Sequence, residues 1–175
     1  IFIPLTNENS WKYQTFTTSA HGLHLITSKG KIRFRPYSNA IETEFLPDTA
    51  TSSKSYATIK NALSENFSVD TSENTIQAEW ENWEITVEKS PLQIEYIHND
   101  SLIKVTDFLC QAAGQGGIIT FNIEGQNQFY GGGSRALPFN LHGYNIEFYN
   151  QAHYGYANQT PNLNISIPVL ASPEK

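Results

Sequence analysis

Apolar and polar residues alternate with a period of two through most of this chain, the pattern a strand with one buried face imposes. Trp11, Tyr13, Thr15 and Thr17 alternate with Lys12, Gln14 and Phe16 in a weak first strand. Residues 21–27 and 31–37 flank Ser28, Lys29 and Gly30, which predicts a hairpin. In its second arm Ile32 and Phe34 share one face, and Lys31, Arg33 and Arg35 share the other. Ile41, Thr43 and Phe45 then alternate with Glu42 and Glu44. Basic and acidic outer faces on successive strands are natural cross-strand partners, each pair stabilising by roughly 0.2–1 kcal/mol.

Residues 47–55 read as a polar loop. Over 56–67, Tyr56, Ile59 and Leu63 stand at helical spacing, but the Ser, Thr and Asn between them suit a helix poorly. That stretch is read as irregular, with at most a short strand or helical turn. A sharper inference follows it. Ile76, Ala78 and Trp80 alternate with Gln77 and Glu79, and Trp83, Ile85 and Val87 alternate with Glu84 and Thr86. With Glu81-Asn82 as a two-residue turn, Trp80 faces Trp83, Ala78 faces Ile85 and Ile76 faces Val87. All six then share one face, and a slip of one residue would throw three of them into solvent.

Leu92, Ile94 and Tyr96 form the next strand, with a turn at residues 98–100 and another strand over 102–106. Gly114, Gly116 and Gly117 break the chain before Ile119, Phe121 and Ile123. Leu163, Ile165, Ile167 and Val169 make the last strand. Ten or more short strands between turn signals predict an all-β protein, an antiparallel β-sandwich with little or no helix.

Composition narrows the classes. At 175 residues the chain is read as one domain, able to bury a core without disulfide or metal staples. Hydrophobic residues make up 39% and charged residues 16%, which argues against disorder. The net charge of −6 is spread along the chain without a Lys/Arg cluster, so nucleic acid and anionic membrane surfaces are poor partners. No run approaches the roughly 18 apolar residues of a membrane span. The lone Cys110 excludes an internal disulfide or thiolate metal cluster, and is read as a buried bystander. Methionine is absent even at position 1, so the sequence is read as starting after processing or truncation. That start is compatible with loss of an export signal, and hence with a periplasmic or secreted protein.

Candidate chemistry gathers in residues 129–156. Aromatic residues, glycines, Asn and His are dense there, and Arg135 and Glu147 are the only charged residues. Rings for stacking and amides for hydrogen bonding suit an uncharged, hydroxyl-rich ligand such as a sugar. The other reading is an aromatic strand pair with a Gly-rich turn. Residues Gly131, Gly132 and Gly133 do not make a phosphate loop, since no Gly-Lys-Ser/Thr follows and no helix opens after them. They are read as a tight turn or a close backbone approach.

His21, His24, His98, His142 and His153 lack metal-ligand spacing and are read as structural or surface residues. His153 stands apart, because it lies in a loop after a strand. The pairs Glu42/Glu44, Glu79/Glu81 and Glu84/Glu88 read as solvated surface acids, not as a general acid and its partner. Of the sequons at Asn66, Asn99, Asn158 and Asn164, the last sits in the expected strand, which counts against its use. The residues therefore predict no catalytic group, metal or cofactor.

Four motifs carry a resemblance: Phe129-Tyr-Gly-Gly-Gly133, Asn140-Leu-His-Gly143, Tyr149-Asn-Gln-Ala-His-Tyr-Gly-Tyr156 and Ser166-Ile-Pro-Val169. In order and spacing they resemble the end of the N-terminal β-sandwich of glycoside hydrolase family 31, the retaining α-glycosidases. There the patterns read like Tyr-Gly-Leu-Gly-Glu, Asn-Leu-Arg-Gly, Trp-Asn-Thr-Asp-Ala-Pro-Gly-Tyr and Ser-Ile-Pro-Phe. Residues 22–37 and 85–94 look like the opening and central hairpins of the same domain.

The resemblance implies a non-catalytic, galactose-mutarotase-like sandwich over residues 1–175, cut just before a catalytic (β/α)8 barrel. Both catalytic Asp residues of the family lie in that barrel, so none carries over. The domain's contribution is a loop that leans over the barrel mouth, with Asn150, Gln151, His153 and Tyr154 as the residues facing an oligosaccharide or α-glycoside. Ala152 stands where the family has an Asp, and Ser134 where it often has Glu. These departures imply an altered preference within the α-glucosidase, α-galactosidase and α-xylosidase types. Rival readings are a free-standing carbohydrate-binding module, a mutarotase-type epimerase and a purely structural domain.

Overall fold

A computed structural model describes residues 11–19, 22–37, 40–48, 67–99, 101–110, 117–122, 125, 127–150, 152 and 154–173. Of the irregular stretch expected over 56–67, all but Phe67 lies outside the described residues. Twelve strands and no helix occur among those that are described. The chain divides into two compact units, Ile1–Asn122 and Ile123–Lys175.

The first unit is a sandwich of two antiparallel sheets. One has four strands in sequence order: β1 (Tyr13–Ser19), β2 (Gly22–Thr27), β3 (Gly30–Tyr37) and β4 (Ala40–Pro47). The other has six: β5 (Ser68–Thr71), β6 (Thr75–Trp80), β7 (Trp83–Lys89), β8 (Leu92–His98), β9 (Ser101–Cys110) and β10 (Gly117–Asn122). Every strand pairs with its sequence neighbour within its sheet, so each junction inside a sheet is a hairpin.

Alternation decides what is buried. Leu23, Leu25, Ile32 and Phe34 of the first sheet form one cluster with Ile76, Ala78, Trp80, Ile85, Val87 and Ile94 of the second. Burying this apolar surface is the dominant favourable term in folding. The β6–β7 hairpin has the expected register: Trp80 opposite Trp83, Ala78 opposite Ile85 and Ile76 opposite Val87. Glu81 makes the turn in the left-handed region, at φ 49°. Trp83, at the end of this stripe, is half-buried, and its ring stacks on His98 with centroids 4.2 Å apart.

On the outward face of the first sheet, Arg33 stands opposite Glu44 and Arg35 opposite Glu42. Arg35 donates to Glu42 at 2.7 Å and to Glu44 at 2.5 Å. Arg33 Nη2 comes within 2.6 Å of Glu44 Oε2, an ionic contact that lies off the hydrogen-bonding direction. The cross-strand pairing of basic and acidic faces is thus present. A polar link joins the two sheets, with Thr43 Oγ1 and Tyr96 OH 2.9 Å apart.

Strand β1 departs from simple alternation. Its register slips between Tyr13 and Thr15, so Gln14 is an extra residue in the ladder with β2. Such a bulge inverts the phase of the strand beyond it. Phe16 consequently packs against the core together with Tyr13, rather than on the opposite face.

In the second unit β11 (Tyr130–Gly133) pairs with β12 (Ser166–Ala171). The last strand begins at Ser166, three residues later than expected. Asn164 therefore precedes the strand instead of lying within it. Pro168 is tolerated inside β12 because this sheet has only two strands, leaving each with one unpaired edge.

Candidate functional site

Residues 129–166 form the part of the second unit where the expected sugar-facing positions fall. Most of it is irregular backbone, and every buried N–H or C=O without a partner would carry a cost. Side chains and short backbone bridges supply those partners.

Asn140 fastens the first turn. Its Oδ1 accepts the N–H groups of Phe129 at 3.1 Å and His142 at 3.0 Å, while Nδ2 donates to Asn127 O at 2.9 Å. Leu141 is buried beneath this turn, and its N–H donates to Phe129 O at 2.8 Å. The His142 ring lies nearly parallel to Phe129, 6.3 Å between centroids.

The three glycines allow close approach. A Cβ on Gly133, whose φ is 92°, would lie 2.3 Å from Ile165 O of the facing segment. One on Gly132, at φ 79°, would lie 2.6 Å from Arg135 Nε. Residue 133 is therefore kept bare by the opposing backbone, and residue 132 by a guanidinium. Beyond β11 the pairing continues irregularly: Ser134 N–H donates to Ile165 O, Leu163 N–H to Ser134 O, and Ala136 N–H to Thr160 O.

Arg135 sits at the centre. Its Nη1 donates to Glu147 O at 3.1 Å and also to Pro161 O. Its Nη2 donates to Gly132 O at 2.7 Å, to Glu147 O at 3.1 Å and to Ser166 Oγ at 3.3 Å. The Phe148 ring centroid lies 5.3 Å from Cζ, within cation–π range. Burial pulls the Arg135 pKa below its ordinary value, yet an arginine so far from neutrality keeps its charge. Arg135 and Glu147, the two charged residues of this stretch, meet through guanidinium and main-chain carbonyl.

Two asparagines complete the bracing of residues 147–150. Asn162 is buried, and its Nδ2 donates to Tyr149 O at 2.5 Å. Asn150 turns its Oδ1 onto Ser166 N–H at 2.6 Å, tying this segment to the first residue of β12.

Tyr154 is 94% exposed, Tyr156 and Ala152 are exposed, and Gly155 turns the backbone at φ 74°. Gln151 and His153, the other two residues expected to face a sugar, lie outside the described residues. Asn150 is thus braced against β12, and Tyr154 is exposed.

Sequence reasoning missed Arg135 and Asn162 as the residues holding that base. For Arg135 a signal existed, since a lone cation among uncharged residues must find neutral acceptors. Asn162 offered none. A second feature is the apolar surface of β12 and the residue before it, where Ile165, Ile167, Val169 and Leu170 are all exposed. Among the described residues, no group of three or more His, Cys, Asp and Glu side chains could hold a metal ion.

No curated protein matches the chain. Residues 24–175 match the Glycosyl hydrolase 31 N-terminal galactose mutarotase-like domain. With that match across most of its length, the chain belongs to glycoside hydrolase family 31, as the family's N-terminal galactose mutarotase-like domain.

Proposed function

We propose that this chain is the accessory sandwich of a retaining α-glycoside hydrolase. It packs on a catalytic (β/α)8 barrel of the same polypeptide and lends the barrel a loop over its substrate pocket. Family membership across residues 24–175 is the observation that carries this reading. Two structural features support it. The exposed aliphatic residues of β12 make a surface suited to docking against another body. Residues 149 and 150 are braced, and the exposed Tyr154 and Tyr156 follow them, as a segment offered to a sugar needs.

Chemistry in the parent enzyme falls to two barrel carboxylates acting by double displacement with retention. Barrel active sites open at the strand C-terminal ends, so a flanking domain can narrow that mouth without supplying a reacting group. Asn150, Gln151, His153 and Tyr154 are the proposed contacts. Ala152, lacking a polar side chain, supplies no side-chain hydrogen bond there. Substrate choice among α-glucosides, α-galactosides and α-xylosides follows from what the loop and barrel present together.

Calorimetric titration of the isolated chain with malto-, galacto- and xylo-oligosaccharides tests the reading. An accessory loop without its barrel holds one side of a pocket, so the expected result is no binding at millimolar sugar. Saturable binding in the micromolar range would favour a free-standing carbohydrate-binding module.

A further inference from the structure

We infer that Arg135 is a positioning residue for the substrate loop. It fixes residues 147–150 in one conformation, so that the tip beyond them is held ready for the sugar. The inference rests on the accessory-domain reading above and adds to it a residue that touches no substrate.

The geometry is specific. Residues 147–150 belong to no strand, so Glu147 O and Tyr149 O have no ladder to enter. Arg135 takes the first with both terminal nitrogens, and Asn162 takes the second. The same guanidinium reaches Gly132 O in β11, Pro161 O on the returning limb of the loop, and Ser166 Oγ in β12. One side chain thereby joins both strands to the outgoing and returning limbs.

Only a planar fork of fixed N–H directions can do this. A lysine ammonium is a compact point donor with three rotatable hydrogens on a flexible stem. The backbone has also made room for the group, since a Cβ at Gly132 would crowd Arg135 Nε at 2.6 Å. A loop ordered before it meets the sugar does not lose that entropy on binding, so loosening it weakens binding.

The test uses the full-length polypeptide that carries this domain, with Arg135→Lys, Arg135→Ala and Tyr154→Ala variants. Amide hydrogen exchange is followed across residues 144–166, and kcat and KM are measured on whichever aryl α-glycoside the parent hydrolyses. In Arg135→Lys the amides of Leu163 and Ser166, which donate to Ser134 O and Asn150 Oδ1, should exchange about tenfold faster or more. KM should rise roughly tenfold, with kcat within about twofold of the parent. Arg135→Lys keeps charge and stem, so it remains informative if Arg135→Ala fails to fold. Faster exchange with an unchanged KM would reduce Arg135 to a purely structural residue and overturn the inference. Unchanged exchange would overturn it as well. Tyr154→Ala separates the two levels. If it raises KM while Arg135→Lys does not, the positioning role fails and the loop reading stands. If it leaves KM unchanged, the loop does not face substrate and both fail.

Discussion

Tyr96 shows how single residues tie the sandwich together. Its ring lies against Phe34 with centroids 6.2 Å apart, and its hydroxyl meets Thr43 of the opposite sheet. Burial pushes the phenol up to about 12, and the Thr43 hydrogen bond opposes that rise only in part. The neutral form is therefore the one the fold prefers. Its contribution is fully present below the unfolded value of 10 and is lost as pH climbs towards 12. About two pKa units correspond to roughly 2–3 kcal/mol over that window. Tyr96→Phe should be about 1 kcal/mol less stable at pH 7, because the Thr43 hydroxyl loses its partner. It should lose less stability than the parent between pH 10 and 12. Urea unfolding at pH 7, 10 and 11.5 gives the comparison, and parallel curves for the two proteins would refute this assignment.

Among the elements, the β6–β7 hairpin is where sequence and structure agree best, and it carries one local conflict. Glu79 and Glu84 stand directly opposite each other on its outward face. Like charges so placed repel, whereas an opposite pair contributes roughly 0.2–1 kcal/mol. Glu79→Lys should stabilise the chain by about 0.5–1 kcal/mol at low ionic strength. Most of that gain should vanish in 1 M salt, where charges are screened within about 3 Å. Thermal unfolding at the two salt concentrations checks it, and a gain indifferent to salt would point to another cause.

That hairpin was legible because its information is short-range: six apolar residues, one period and one two-residue turn. The same held for the Arg/Glu faces of β3 and β4, whose strands are neighbours in sequence and in space. Phe16 was misread because a bulge leaves no mark on alternation until the phase is seen to invert. The start of β12 was misread because Leu163 and Ile165 continue the alternation into residues whose backbone pairs irregularly with Ser134. At the candidate site, the triple glycine was legible as a close approach, and two of its causes are now visible in Ile165 O and Arg135. The bracing of residues 147–150 was not legible. Its acceptors are mostly main-chain carbonyls gathered from three separate segments, at Gly132, Glu147 with Tyr149, and Pro161, and a carbonyl carries no residue identity.

At the scale of the whole molecule, a sandwich with a well-filled core is joined in sequence to a second unit whose last strand presents aliphatic side chains to solvent. Family membership supports the proposal that chemistry belongs to another part of a longer polypeptide. The most direct measurement compares α-glycosidase turnover by residues 1–175 alone with turnover by the full-length polypeptide, on α-glucoside, α-galactoside and α-xyloside substrates. Activity in the full-length protein and none in the isolated chain is the predicted result. Turnover above background by residues 1–175 alone would contradict it.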